Sequence, residues 1–172
     1  MQDLQKEIFS DYNIIVRTYE DNNIEDIPDF LKKVDNITRL KENSIIQLLD
    51  SDYLCGFKHL NQAITQAIKA FNEGQNFAND KGLEICVRAS TQKQINIAIR
   101  LLGIKNKGNI TVVYVDTTIQ QVEEVEKLLG QRNDALLEEY DEEKIRKAYD
   151  LADDEDIVGM INEDIALLAL KG

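Results

Sequence analysis

The spacing of apolar residues along the chain switches between a period of two and a period near 3.6, and the switches divide it into strands and helices. Residues 13–19 (NIIVRTY), 44–50 (SIIQLLD) and 110–115 (ITVVYV) are short, rich in β-favouring residues and read as strands. Phe57, Leu60, Ile64, Ala67, Ile68 and Phe71 recur at helical spacing, which predicts a helix over 57–72 ended by Gly74. Residues 24–34 predict an earlier helix, with Pro28 in its first turn or splitting it. Residues 117–129 predict another, with Ile119, Val122, Val125, Leu128 and Leu129 inward and Glu123, Glu124 and Glu126 outward. A short helix over 142–149 precedes an acidic cluster at 153–156, which suits a helix N-terminus. The last helix, 157–170, starts amphipathic and ends as IALLAL, apolar nearly all round. Such an ending packs deep in the domain or serves as a partner-binding surface.

Residues 83–104 (LEICVRASTQKQINIAIRLLGI) hold the most suggestive pattern. The run 83–89 alternates and reads as a strand, 90–93 as a polar turn with two good N-caps, and 94–102 as a helix stopped by Gly103. In that helix Ile95, Ala98, Ile99 and Leu102 form one stripe, while Ile97, Leu101 and Ile104 lie off it. A helix covering one core needs a single stripe, so the surplus implies a second apolar contact. Strands separated by helices give an α+β fold in alternating order. We expect a single domain over 1–172, with one mixed, largely antiparallel sheet flanked by helices.

A length of 172 residues fits one well-buried core. No run approaches the roughly 20 apolar residues of a membrane span, and the first residues lack the basic-then-apolar order of a signal peptide, so a cytoplasmic protein is expected. Cys55, Cys86 and the lone His59 supply neither a zinc site nor a Cys/His nucleophile pair. The net charge of −12 argues against nucleic acid, but its distribution changes the picture. Residues 56–108 carry eight basic residues against Glu73, Asp80 and Glu84, which leaves the rest of the chain strongly acidic. The helix over 57–72 also shows a face of Lys58, Asn61, Gln62, Thr65, Gln66, Lys69 and Asn72 without an acid. Such a face suits phosphates and base edges, or is simply solvated.

Signatures of catalysis are missing: there is no GxxxxGK[ST], GxGxxG or HExxH. Carboxylates fall on solvated faces, and His59 has no visible orienting partner as a base. The turn 89–93 offers backbone N–H groups with Ser90, Thr91, Lys93 and Gln94, an anion site in principle, although every strand–turn–helix offers the same donors. No enzyme activity, cofactor or metal is expected.

The residues His59, Ala63, Ala67, Lys69, Phe71, Gly74, Glu84, Ala89-Ser90, Gln94-Ile95 and Gly103-Ile104, with the later KIRKAYDL and IALLAL, form a recognisable series. It resembles the PRPK-binding subunit of the KEOPS complex, the human TPRKB-like family, in its archaeal form. Thr91 stands where that family often has Gly, which speaks against a turn needing positive φ there. Lys93 stands where Arg is common, which keeps the charge and loses the bidentate fork. The resemblance implies a non-catalytic subunit of the assembly that makes threonylcarbamoyladenosine in tRNA. It would bind the kinase-like ATPase subunit and the single-stranded CCA end of tRNA. By position the expected RNA face is Lys58, His59, Lys69, Arg88, Lys93 and Gln94, although Arg88 could instead pair with an acid. The expected protein face is Ile95, Ile99, Leu102, Ile161, Ile165 and Leu168, which as readily make core. The alternative is a purely regulatory, protein-binding subunit without RNA contact.

Overall fold

A computed structural model describes residues 2–171. The elements run α1 (Gln2–Asp11), β1 (Ile14–Asn23), α2 (Ile27–Thr38), β2 (Ile45–Asp50), α3 (Gly56–Asn72), α4 (Lys81–Ala89), α5 (Ile95–Leu102), β3 (Lys107–Val115), α6 (Ile119–Glu126), α7 (Glu142–Ala148) and α8 (Ile157–Lys171). Single 3₁₀ turns at Ser51–Tyr53 and Asp134–Leu137 join them. The three strands are ordered β1-β3-β2, and both pairings are antiparallel, so the last strand enters between the first two.

Period-two alternation divides the sheet between two cores. Ile45, Leu49, Val113 and Val115 face a larger core built with α3, α4, α5, α7 and α8. Ile46, Leu48, Ile110, Val112 and Tyr114 face a smaller one under α2 and α6. This is the single α+β domain expected, with α1 added, a helix the hydrophobic pattern did not reveal. Pro28 lies in the first turn of α2, where its missing N–H costs nothing, and Asp26 caps that helix through the Asp29 N–H.

The strand expected over 83–89 is a helix, α4. Glu84 through Ala89 are all buried, so the run has no polar face to show a helical period. Asp80 caps it by accepting from the Leu83 N–H, and Glu84 pairs with Arg88 one turn on, Oε2 to Nε 2.7 Å. Gly82 lets α4 settle on β2, because a Cβ there would stand 2.7 Å from the Gln47 side-chain oxygen.

Helices α1 and α8 both pack against α3, and Gln5 of α1 donates to the Gln62 side-chain oxygen there at 3.2 Å. Gln62, Thr65 and Gln66 are therefore buried, and that face is not a solvent-exposed RNA platform.

Candidate functional site

The turn from α4 to α5 is held from both sides. The Ser90 hydroxyl donates to the Val87 carbonyl at 2.7 Å and accepts the Gln92 N–H at 3.1 Å. Thr91 has a φ of +63°, so the turn does use the left-handed region, with a β-branched residue in it. Lys93 and Gln94 stand exposed at the head of α5. Gly103 ends α5 in extended conformation (φ −64°, ψ 147°), and glycine is needed because a Cβ would run into the Ile99 carbonyl oxygen.

His59 and Arg88 leave the expected RNA face, because both are interior. His59 is fully buried: its Nδ1 accepts the Cys55 N–H at 3.0 Å, and its Nε2–H donates to the Ala89 carbonyl at 2.8 Å. Burial lowers its pKa from 6.5 to about 4, against a smaller opposing effect of the Ala89 bond, so the ring is neutral and its tautomer is fixed. Arg88 is 2% exposed, paired with Glu84, donating to the Gln75 carbonyl and stacked 4.4 Å from the Phe77 ring centroid. The other Glu84 oxygen accepts the Phe77 and Ala78 N–H groups, so the pair fastens the loop between α3 and α4. The cavity beside Lys69 and Arg88, about 10 Å³, holds a water at most.

The four remaining cationic and amide positions do not form one patch. Lys58 and Lys69 sit at opposite ends of α3, about 16 Å apart along its axis at 1.5 Å per residue. Lys69 is half-buried, with Glu73 at 3.7 Å. Lys58 borders an amide-lined groove with Gln5, Asn61 and Asn162. Lys93 and Gln94 belong to α5 instead.

The expected protein face divides likewise. Leu102, Ile161, Ile165 and Leu168 are core, at 0–3% exposure. Ile99 is 46% exposed and Ile95 half-buried. At 100° per residue Ile97 and Ile99 point about 160° apart, which resolves the surplus apolar surface of α5. Ala98 and Leu102 enter the core, Ile95 and Ile99 form one flank, and Ile97 and Leu101 the other.

The Ile97 and Leu101 flank borders a cleft of about 480 Å³ that sequence spacing did not reveal. Its lining combines Ile97, Leu101, Tyr53 and Ala148 with the cations Arg100, Lys105, Lys144 and Lys147. Lys105 and Lys144 lie 5.4 and 5.8 Å from the Tyr53 ring centroid, and are tied to Asp50 (2.8 Å) and Asp52 (3.2 Å). Arg100 and Lys147 make no ion pair among the described residues. The Tyr149 hydroxyl donates to the Tyr53 carbonyl at 2.7 Å, and its ring meets His59 edge-on at 5.7 Å, which braces the cleft against α3. The available signal was Lys144 and Lys147 one turn apart in KIRKAYDL, but nothing in spacing alone brings α7 to α5.

Nucleophilic chemistry is poorly served. Burial pushes both the Cys55 and Cys86 thiols up to about 12. Among the described residues no three metal-binding side chains gather, and no helix is long and apolar enough to cross a membrane.

Comparison with known proteins decides the family. The model of the kinase binding protein CGI-121 family matches residues 14–170. The chain belongs to that family. It is also 34% identical over 128 residues to the regulatory protein Cgi121 of Methanocaldococcus jannaschii, covering 73% of this chain and 83% of that relative. The family and this relative support a kinase-binding regulatory subunit.

Proposed function

We propose that this kinase-binding subunit also holds the single-stranded CCA end of tRNA, as a non-catalytic member of a KEOPS assembly that makes threonylcarbamoyladenosine. The observation that carries the RNA part is a stretch without acid. Residues 85–115 contain no Asp or Glu, in a chain with 32 of them, and four of the five cations there (Lys93, Arg100, Lys105 and Lys107) are exposed. Three of those four lie on α5 or the segments directly flanking it. A flexible strand end is bound through such phosphate contacts and through stacking, without the groove geometry that duplex recognition requires.

In this reading Lys93 and Gln94 meet the RNA end, Lys58 is an outlying contact, and the Ile95 and Ile99 flank docks on the kinase-like subunit. The test is binding of the isolated protein to intact and CCA-trimmed tRNA at two salt concentrations, with Lys93→Glu alongside. Tighter binding of the intact tRNA, weakened by Lys93→Glu, is expected. Equal affinity for the two tRNAs would sink the CCA assignment. The second reading, a regulator of the kinase without RNA contact, is favoured by the net charge of −12 and by the burial of His59 and Arg88; absence of any tRNA shift at low salt would select it.

A further inference from the structure

We infer that the cleft between α5 and α7 is a nucleotide-binding site, taking one base against its apolar side chains and one phosphate at its cations. The inference does not depend on the RNA reading, since the same chemistry comes from a free mononucleotide or from one unit of a strand.

Three features select that ligand class. The lining carries the apolar side chains Ile97, Leu101 and Ala148 together with the Tyr53 ring, suited to a planar heterocycle and wasted on a bare anion. Two of the cations, Lys105 and Lys144, are already neutralised by Asp50 and Asp52 and hold their places over Tyr53. Arg100 on α5 and Lys147 on α7 both line the cleft and have no carboxylate partner among the described residues, which leaves them to a dianion. The Arg100 fork matches phosphate oxygens bidentately, and Lys147 adds a point charge. The volume of about 480 Å³ accommodates a mononucleotide and lies within the usual span of small-ligand clefts. An acidic peptide is the competing occupant. It would need an open strand edge to pair with along its extended backbone, and no strand residue lines the cleft.

The experiment titrates the full-length protein with AMP, CMP, adenosine, inorganic phosphate and an acidic octapeptide, following tyrosine and methyl NMR shifts. A short RNA ending in CCA competes in a parallel series. Arg100→Glu, Lys147→Glu and Ile97→Ser are compared with the parent, and unchanged thermal unfolding confirms their folding. Expected is binding of AMP and CMP with shifts at Tyr53, Ile97 and Leu101, and binding about tenfold or more weaker for each charge reversal, as for loss of one charge-assisted contact. Adenosine and phosphate alone bind more weakly than AMP. If RNA displaces AMP, the cleft seats a unit of the strand. If AMP binds and RNA does not displace it, the site stands as one for free nucleotide, whatever becomes of the RNA reading. RNA binding that the three variants leave intact, with no AMP shifts, overturns the cleft and spares that reading. Binding of the peptide alone, or of none of the probes, also overturns it.

Discussion

Thr91 holds a φ of +63° between two helices, a position where an L-residue with a branched Cβ costs about 1–3 kcal/mol unless its surroundings compensate. The Ser90 hydroxyl, bonded on both sides of it, is what holds the turn. Thr91→Gly removes the strain and adds unfolded-chain entropy, so we expect a net gain of about 1 kcal/mol. Urea unfolding checks this as a raised midpoint at unchanged slope. His59 makes the opposite kind of prediction. Its folded pKa of about 4 lies below the unfolded 6.5, so between those values the unfolded chain binds more protons than the folded one. The stability from keeping the ring neutral is complete above about pH 6.5 and is lost progressively as pH falls toward 4, to a total of about 3 kcal/mol. A pH series of unfolding midpoints should show this slope, and His59→Gln, starting from a lower stability, should flatten it between pH 4 and 6.5.

At the level of elements, α5 and α8 separate interface from interior. Ile165 on α8 is fully buried against α3, so Ile165→Glu places an unpaired charge in the core and is expected to unfold the chain. Ile99 on α5 is 46% exposed, so Ile99→Glu should leave the unfolding midpoint within about 0.5 kcal/mol of the parent while the protein no longer co-purifies with its kinase. Unfolding of the Ile99 variant, or co-purification at the parent level, counts against that flank. Helices α5 and α3 show what the sequence made legible. The stripe of Ile95, Ala98, Ile99 and Leu102 exposed both α5 and its surplus, and the period of α3 was clear over its full length. Helix α4 was not legible, because seven residues buried nearly all round have no polar period to distinguish helix from strand. The Asp80 cap and the Glu84–Arg88 spacing were the local signals that outweigh β-propensity there. Likewise, amides on α3 look solvent-facing in a sequence, yet Gln62 and Gln66 are buried, which tertiary packing alone determines.

For the whole molecule, the decisive quantity is how a strongly acidic chain presents cations locally. The family was legible from the segment between His59 and Ile104, which builds α3, α4 and α5. The cleft was not, because Tyr53, Arg100 and Lys147 come from three separate segments that only the folded chain brings together. This arrangement predicts a modest salt dependence. A single strand contributes a slope of about −0.7 in log K against log salt for each phosphate neutralised. Lys93, Arg100, Lys105 and Lys107 are the exposed cations of the acid-free stretch, and Lys105 is already paired with Asp50. Contacts from at most these four give a slope no steeper than about −3 for RNA ending in CCA, far shallower than for a protein that follows a duplex. Lys93→Glu should make it shallower by about 0.7 while lowering affinity at every salt concentration. Reversal of a residue off the stretch, such as Lys33→Glu on α2, should change neither slope nor affinity. A slope steeper than about −5 would mean that phosphates are bound well outside α5 and its flanks, and would relocate the RNA surface.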